Sequence, residues 1–308
     1  MLKDRRILIT GGAGFIGSNL AEYLKESNDL VVLDDFSLGK KENLSGLDVE
    51  IISASILDDS ALNSIEDVDV VFHLAAVPGV QDSIERPLET SMTNFIGTVK
   101  ILEMMRKKDI PSIIFASSCA VYGNTEKVPV DESTCPEPLS PYASQKLASE
   151  NMIKNYREIY GIKGISARFF NVYGPKQDPN SEYSAVIPKF IRRCIEEKSP
   201  VIYGDGKQTR DFVYVKDLVR ALSLIAEKLP DEHVFNIGSG VETSINELAE
   251  TIINETGCGK EPEYREKRAG EVERSLADIE LIKGLGWKPE YSLKDGIKET
   301  IEWMRRSR

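Results

Sequence analysis

Near its start the chain contains the stretch Ile7-Leu8-Ile9-Thr10-Gly11-Gly12-Ala13-Gly14-Phe15-Ile16-Gly17, an apolar run that ends in a glycine-rich turn. Residues 18–25 continue with helical spacing, so the segment predicts a strand, a tight turn and a helix. Gly12, Gly14 and Gly17 have the spacing at which glycines allow a tight turn, close approach of a pyrophosphate and close helix–strand packing. This stretch therefore predicts a dinucleotide-binding α/β fold.

The next apolar run, residues 30–33, ends in Asp34 and Asp35, about 20 residues beyond the glycines, as the dinucleotide fingerprint requires. A carboxylate there accepts hydrogen bonds from a ribose 2′-hydroxyl and repels a 2′-phosphate, which favours NAD over NADP. Lys40 and Lys41 lie close enough in sequence to weaken that preference slightly. The pyrophosphate is expected at the N-terminus of the first helix, where unpaired amides and the helix dipole attract anions.

The rest of the chain alternates between strand-like and helix-like patterns. Further strands are predicted at 49–52, 68–74, 112–116 and 164–168, and helices at 88–107 and 142–160. The alternation predicts a Rossmann-type doubly wound parallel sheet with a smaller C-terminal substrate-binding region. Because prolines break the pattern after about residue 173, we predict an NAD-binding domain over 1–172, to which 211–237 returns. The substrate domain would comprise 173–210 and 238–308.

Tyr142 and Lys146 lie four residues apart and so share one face of a predicted helix. A phenol has an ordinary pKa of about 10, and a neighbouring ammonium lowers that pKa toward the range of a working base. A hydroxyl of Ser117 or Ser118, upstream, could pass the proton on. Chance supplies this tyrosine–lysine spacing in many chains. It gains weight here because the glycine-rich turn belongs to the same predicted domain.

Bulk properties favour a cytoplasmic enzyme. The chain has 308 residues and a formal net charge of −11, which argues against a nucleic-acid partner. No apolar stretch approaches the roughly 20 residues of a membrane span, and no signal peptide is recognisable. The cysteines are scattered without a C-x-x-C motif and the only histidines are His73 and His233, so we expect reduced thiols and no metal site.

Nearly from end to end, the chain resembles the extended short-chain dehydrogenase/reductases, and among them the UDP-sugar 4-epimerases. Beyond the glycine-rich turn, Tyr142 and Lys146, the resemblance rests on several short motifs. They are His73-Leu74-Ala75-Ala76, Thr93-Asn94-Phe95-Ile96-Gly97-Thr98, Ser117-Ser118-Cys119-Ala120-Val121-Tyr122-Gly123, Arg168-Phe169-Phe170-Asn171-Val172-Tyr173-Gly174-Pro175, Gly204-Asp205-Gly206, Arg210-Asp211-Phe212 and Arg268-Ala269-Gly270-Glu271.

The resemblance implies a mechanism. Tyr142 would take the proton of the sugar 4-hydroxyl with Ser118 bridging, while C4 passes hydride to NAD. Lys146 would bind the nicotinamide ribose and keep Tyr142 ionised. The 4-keto sugar would then turn over and receive the hydride on its other face, so NAD should stay tightly bound. The implied cofactor contacts are Gly11, Gly14, Phe15, Ile16, Gly17, Asp34, Asp35, Leu74, Ala75, Ala76, Asn94, Ser117, Tyr142, Lys146 and Phe169.

The resemblance also implies how a UDP-sugar is held. Asn171, Arg210 and Arg268 would contact the diphosphate, and paired guanidinium donors suit that group, although a surface salt bridge explains either arginine alone equally well. The full implied substrate set is Val80, Ser118, Tyr142, Asn171, Val186, Arg210, Arg268 and Ser275. Members of the family usually pair through a four-helix bundle, so helices 88–107 and 142–160 imply a homodimer.

Neighbouring activities differ at a few positions. The related 4,6-dehydratases and UDP-glucuronate decarboxylases carry an acidic residue before Val121-Tyr122-Gly123, where this chain has Ser117-Ser118-Cys119-Ala120. GDP-fucose synthase uses a cysteine there, together with a histidine at the position of Lys176, so Cys119 is interpreted as a packing residue. A UDP-glucuronate 4-epimerase, another nucleotide-sugar epimerase or reductase, and a non-catalytic NAD-binding regulator stay open as alternatives.

The choice among UDP-hexoses is expected to depend on Ser275, seven residues after Arg268. In the family, a tyrosine at this position restricts the pocket to glucose and galactose, whereas a small residue leaves room for an N-acetyl group. The resemblance therefore predicts interconversion of UDP-glucose and UDP-galactose, with UDP-GlcNAc and UDP-GalNAc tolerated.

Overall fold

The glycine-rich stretch forms the first strand–turn–helix unit, as predicted. The computed structural model describes residues 2–178, 185–267 and 272–307. Its strands are β1 (Arg6–Thr10), β2 (Asp29–Asp34), β3 (Glu50–Ser53), β4 (Val70–His73), β5 (Ser112–Ser118), β6 (Lys163–Phe169), β7 (Asn171–Tyr173), β8 (Val201–Tyr203), β9 (Thr209–Tyr214), β10 (Val234–Ile237), β11 (Glu242–Ser244) and β12 (Glu263–Arg265).

The described α-helices are α1 (Phe15–Leu24), α2 (Asp59–Ser64), α3 (Val80–Glu85), α4 (Pro87–Ser91), α5 (Gly97–Lys107), α6 (Pro141–Tyr160), α7 (Val186–Ile195), α8 (Val215–Lys228), α9 (Ile245–Thr256), α10 (Glu280–Gly284) and α11 (Leu293–Arg306). Short 3₁₀ turns cover Lys41–Leu44 and Cys119–Tyr122. The first helix begins three residues before the predicted start at residue 18, because Phe15 already continues the turn of Gly14.

Seven parallel strands form the central sheet in the order β10-β6-β5-β4-β1-β2-β3. Strands covered by helices on both faces need apolar side chains on both faces, which explains the unbroken apolar runs of β1, β2 and β4. The strand order reverses beside β1, since β2 pairs with one edge of β1 and β4 with the other. Such a reversal opens a crevice beyond the carboxyl ends of the strands. The predicted Rossmann-type fold is confirmed.

The later part of the chain adds two small sheets. One has the order β11-β9-β7, and the other pairs β12 with β8. Asp211 ties the first of these to neighbouring segments. Its Oδ1 accepts from the amide of Ser239 at 2.6 Å, and its Oδ2 accepts from the amides of Gly240 at 3.0 Å and Ala277 at 3.1 Å. This buried carboxylate therefore fixes the strand that carries the adjacent Arg210.

The predicted helix over 88–107 is present, but a π-helical turn at Met92–Ile96 interrupts it between α4 and α5. Asn94 lies in that turn and faces inward. Its Oδ1 accepts from the amide of Val77 at 2.7 Å, and its Nδ2 donates to the carbonyl of Val77 at 3.1 Å and to Gln145 Oε1 at 2.8 Å. The π turn thus clamps the segment after β4 against α6, a use common for such turns near functional sites.

Candidate active site

A cleft of about 930 Å³ lies at the carboxyl edge of the central sheet. Predicted site residues form much of its wall: Ser117, Ser118, Tyr142, Phe169, Asn171, Val186 and Arg210. They come from β5, α6, β6, β7, α7 and β9, so separate segments of the sequence meet in one place. This convergence was expected from residues that follow directly after predicted strands.

The glycine turn has the shape that a dinucleotide requires. Gly11 has a left-handed φ of +69°, and a Cβ there would lie 2.8 Å from the Cα of Ala75. A Cβ on Gly17 would lie 2.3 Å from the carbonyl oxygen of Gly11. Gly14 directly precedes α1 and, as a glycine, has no side chain to cap the amides of the first turn. The backbone amides and dipole of this helix end therefore suit an anionic pyrophosphate, and the residues fit NAD.

The two acidic residues after β2 have different surroundings. The buried Asp34 accepts from the amide of Ala13 at 2.9 Å and from the amide of Phe36 at 2.8 Å, so it lies against the glycine turn. Burial raises the pKa of Asp34 above its ordinary value, while these two hydrogen bonds act in the opposite direction. Asp35 instead accepts from the amide and hydroxyl of Ser37 in its own loop, at 2.9 and 2.6 Å.

Lys40 and Lys41, the two lysines that weakened the preference for NAD over NADP, contact protein groups in the structure. Lys40 Nζ lies 2.9 Å from a carboxylate oxygen of Asp178, and Lys41 Nζ lies 5.1 Å from the ring centre of Phe36. The carboxylate that adjoins the glycine turn is that of Asp34.

Tyr142 and Lys146 are both buried where α6 packs against the end of β5. Lys146 Nζ donates to the carbonyl of Ala116 at 2.7 Å and lies 5.8 Å from the ring centre of Tyr142. The helix is fixed at its start by Ser140, whose hydroxyl accepts from the amide of Ala143 at 3.2 Å. The amide of Tyr142 donates to the hydroxyl of Ser83 at 3.0 Å. Tyr142 therefore lies in the cleft wall, and Lys146 lies behind it, against the end of β5.

Burial has the largest effect on the pKa values of Tyr142 and Lys146. It raises the pKa of Tyr142 to about 12, against the effect of a hydrogen bond with Ser118, and the neighbouring Cys119 raises it further. Burial also lowers the pKa of Lys146 to about 7, against the effect of Glu150, which favours the ammonium. The desolvation of both groups therefore opposes the predicted lowering of the Tyr142 pKa by Lys146.

Two of the predicted substrate-binding residues, Asn171 and Arg210, are held by contacts with the backbone. Asn171 Nδ2 donates to the carbonyl of Asp211 at 3.1 Å, and Arg210 Nη1 donates to the carbonyls of Thr209 at 2.8 Å and Val272 at 2.7 Å. Arg268 lies outside the described residues. Val80, at the start of α3, is exposed and does not belong to the cleft wall as the structure defines it.

Ser275 lies close enough to Cys119 for its side chain to lower the pKa of the thiol. Burial raises the pKa of Cys119 to about 12, so the thiol is neutral over the working range of most enzymes. This environment agrees with the interpretation of Cys119 as a packing residue. Ser275 itself does not belong to the cleft wall, but Cys119, with which it interacts, directly follows Ser118, which does.

The sequence did not predict several residues of the cleft wall, among them Lys189, Phe190, Tyr203 and Gln208. Gln208 Nε2 donates to the carbonyl of Tyr203 at 2.8 Å, which fixes the loop between β8 and β9. Tyr203 directly precedes the Gly204-Asp205-Gly206 motif, and that proximity was the signal that could have identified it. The other three carry no short motif of their own.

Two further properties concern the described residues as a whole. Within 2–178, 185–267 and 272–307, His, Cys, Asp and Glu side chains form no group of three or more that could hold a metal ion. Over the same part of the chain, no helix is both long enough and apolar enough to cross a membrane.

Comparison with known proteins supports the family prediction. The model of the NAD dependent epimerase/dehydratase family matches residues 7–238. A putative UDP-glucose 4-epimerase of Methanocaldococcus jannaschii is 47% identical, and the match covers 97% of this chain and 98% of the relative.

Two solved structures are similar throughout. The UDP-N-acetylglucosamine 4-epimerase of Methanobrevibacter ruminantium M1, in complex with UDP-N-acetylmuramic acid, is 38% identical with a TM-score of 0.96, covering 100% of both chains. The UDP-glucose 4-epimerase of Thermotoga maritima, with UDP-glucose, is 38% identical with a TM-score of 0.94, covering 98% of this chain and 99% of that one. The predicted family, fold and cofactor are confirmed. The chain belongs to the NAD-dependent epimerase/dehydratase family, as an NAD-dependent enzyme of the UDP-glucose 4-epimerase type.

Proposed function

We propose that the protein epimerises UDP-hexoses at C4, interconverting UDP-glucose and UDP-galactose through a transient 4-keto sugar. One observation carries the proposal: Ser118 and the buried Tyr142 lie together in the wall of a cleft that also contains Arg210. A base and a diphosphate-binding cation in one cleft suit a nucleotide sugar whose reacting carbon lies beside the base.

In this proposal Tyr142 accepts the proton of the sugar 4-hydroxyl and Ser118 bridges the two oxygens. Lys146 supplies the positive charge that stabilises the phenolate, because ammonium and phenolate favour each other's ionised forms once both are buried. When bound, NAD supplies a reversible hydride acceptor. Its pyrophosphate would rest on the turn of Gly11, Gly14 and Gly17. The further residues proposed to contact it are Phe15, Ile16, Asp34, Asp35, Leu74, Ala75, Ala76, Asn94, Ser117 and Phe169.

The nucleotide end of the substrate would lie against the small sheets. Asn171 and Arg210 are proposed to bind the diphosphate, together with Arg268. The corresponding division of the chain is an NAD-binding domain of 1–172 with 211–237 and a UDP-sugar-binding domain of 173–210 with 238–308. The return of residues 211–237 to the NAD-binding domain is supported by β10, which pairs with β6 in the central sheet. β9, which contains the start of this segment, pairs instead with β7 and β11.

We also propose that UDP-GlcNAc and UDP-GalNAc are substrates. Ser275 is small and interacts with Cys119, which directly follows the cleft residue Ser118 in the chain. One of the similar solved structures is that of a UDP-N-acetylglucosamine 4-epimerase. Replacing Ser275 by tyrosine should fill the space that an N-acetyl group needs.

Ser275→Tyr is therefore expected to lower kcat/KM for UDP-GalNAc by about 100-fold, because an overfilled pocket rejects the larger ligand. The rate with UDP-galactose should change by only a few-fold. Both rates are measured with purified protein, and Ser275→Thr serves as the control of intermediate size. An equal loss with both sugars would contradict the placement of Ser275 in the sugar pocket.

A homodimer is the assembly that we propose. Leu88 and Met92 lie within the predicted helix 88–107 and are exposed, Leu88 by 77%. Exposed apolar side chains on a helix implied for the family's dimer are suited to a protein interface.

Leu88→Glu should therefore convert the dimer into a monomer, because a charge would be buried in the apolar interface. Light scattering after size-exclusion chromatography measures the mass. Leu38→Glu is the matched control, since Leu38 is also exposed, by 64%, but lies outside this helix. A monomeric wild type, or a dimeric Leu88→Glu variant, would remove this interface.

We further propose a cytoplasmic location, supported by the four cysteines, all of which are free thiols.

The substrate itself is identified by one assay of the purified protein with UDP-glucose, UDP-galactose, UDP-GlcNAc, UDP-GalNAc and UDP-glucuronate, each followed by NMR of the products. C4 epimers of the first four support the proposal. Epimerisation of UDP-glucuronate alone would replace it by the alternative activity, and steady consumption of added NAD(P)H would indicate a reductase.

A further inference from the structure

A buried carboxylate lies directly behind Lys146. Glu150 follows Lys146 by one turn of α6 and is only 6% exposed. Its Oε1 accepts from the hydroxyl of Ser117 and from Arg168 Nε at 2.9 Å, and its Oε2 accepts from Arg168 Nη2 at 2.6 Å. Tyr142, Lys146 and Glu150 thus recur at intervals of four residues on one helix.

Stability alone does not account for this arrangement. The Glu150–Arg168 pair is buried on both sides, and the desolvation of two buried charges offsets most of their attraction. The guanidinium of Arg168 also lies 4.7 Å from the ring centre of Tyr122. The two hydrogen bonds from Arg168 fix the orientation of the Glu150 carboxylate, one helical turn from the Lys146 side chain.

The charged, titratable and polar groups around Lys146 come from four elements. On α6 these are Tyr142 and Glu150, and on β4 it is His73, whose own pKa burial lowers to about 3, so that it is neutral. On β5 the ammonium meets the ring of Phe115 at 4.7 Å and the carbonyl of Ala116. Arg168, on β6, is separated from Lys146 by the Glu150 carboxylate to which it is bound. Near neutral pH, Glu150 is therefore the group in this set whose full charge favours the ammonium.

We propose that Glu150 is a positioning residue that keeps Lys146 protonated and so makes the phenolate of Tyr142 available. The inference rests on the proposed roles of Tyr142 and Lys146. Glu150 does not touch the cleft as the structure defines it, and it acts through Lys146. The hydroxyl of Ser117, which lines the cleft, donates to Glu150, and Lys146 donates to the carbonyl of Ala116. Neighbouring residues at the end of β5 therefore hold both the carboxylate and the ammonium in place.

The test compares Glu150→Gln with Arg168→Gln. Both break the same ion pair, but only the first removes the carboxylate. At acidic pH Lys146 is protonated in either variant. As pH rises, Glu150→Gln loses the ammonium earlier, because the charge that favoured it is gone. With the pKa of Lys146 lowered by about one unit from about 7, the rate deficit of Glu150→Gln relative to wild type should grow from about twofold at pH 6 to about ninefold at pH 8. The deficit of Arg168→Gln should not grow.

A direct readout does not depend on turnover. The Nζ resonance of Lys146 in ¹⁵N-lysine-labelled holoenzyme, assigned by its loss in Lys146→Arg, gives the pKa of the ammonium. Glu150→Gln should lower that pKa by about one unit, and Arg168→Gln should not lower it. If Glu150→Gln fails to fold because Arg168 is left buried without a partner, the double variant Glu150→Gln/Arg168→Gln replaces it and should show the same lowered pKa.

An unchanged Lys146 pKa in Glu150→Gln, or equal and pH-independent deficits in both single variants, would overturn the inference. The result is separable from the proposed function. If Glu150→Gln lowers the Lys146 pKa while Tyr142→Phe epimerises at a normal rate, the effect of Glu150 on Lys146 is supported and the proposed role of Tyr142 as the base is removed.

Discussion

Tyr142→Phe is expected to retain bound NAD and to lose epimerisation by about 10²- to 10⁴-fold. The substitution removes one oxygen from a buried ring and leaves its packing in place, so the fold and the glycine turn should be unaffected. Without the phenol, neither Ser118 nor Lys146 can take the proton of the 4-hydroxyl at a useful rate, since a serine is a weak base and burial leaves Lys146 without a route to the sugar oxygen. Rates are measured by NMR conversion of UDP-galactose, and NAD content by absorbance after denaturation.

Tyr156→Phe is the matched control. Tyr156 lies on the same helix, is also buried, and its hydroxyl donates to Glu103 at 2.5 Å, away from the cleft. It should keep a near-normal rate. Near-normal turnover by Tyr142→Phe would remove Tyr142 from its assigned role, whereas loss of NAD from that variant would mean that the substitution acts on cofactor binding.

Gly17→Ala should yield a protein that is purified with little or no NAD and is inactive. Its Cβ would lie 2.3 Å from the carbonyl oxygen of Gly11 and 2.7 Å from the Cα of Gly12. Both are backbone atoms of the turn, so they cannot move aside as a flexible side chain could, and the turn must open. Overpacking of this kind costs about 1–3 kcal/mol of folding stability and displaces the amides proposed to receive the pyrophosphate.

The control for Gly17→Ala is Gly284→Ala. Gly284 also lies in a helix, and a Cβ there would meet nothing within 4 Å. Alanine is the better helix former, so this variant should be as stable as wild type or more stable, with full NAD content. NAD is quantified per subunit and stability by thermal unfolding. A Gly17→Ala protein with one NAD per subunit would show that the turn tolerates the methyl group and would contradict its role as the cofactor cradle.

The central sheet was predictable because its strands are buried on both faces. Such strands appear in the sequence as apolar runs, and the glycine turn specifies which of them comes first. The small strands were not predictable. β7, β8, β11 and β12 are each three residues long, too short for a periodic pattern. β7 and β11 form against β9, which the buried Asp211 ties to neighbouring segments, and β8 pairs with β12. The π turn at Met92–Ile96 has helical spacing in the sequence and differs only in its hydrogen bonds.

Within the site, the sequence located groups that carry a recognisable motif, such as Tyr142, Lys146 and Arg210. It could not give their protonation, because the pKa values of Tyr142 and Lys146 depend on how deeply α6 packs against β5. Glu150 illustrates the same limit. In the sequence it is one more acidic residue on an amphipathic helix, and its burial against Arg168 depends on a strand that follows it in the chain.

The central claim is that the hydrogen at C4 leaves the sugar and returns to the same carbon. It is tested most directly by incubating the purified enzyme, without added cofactor, with UDP-glucose carrying deuterium at C4, and by recording the NMR spectrum of the UDP-galactose formed. We predict that the product keeps the deuterium at C4 and that no NADH accumulates. Protium from the solvent at C4 of the product, or a stable 4-keto sugar with net reduction of NAD, would contradict the account.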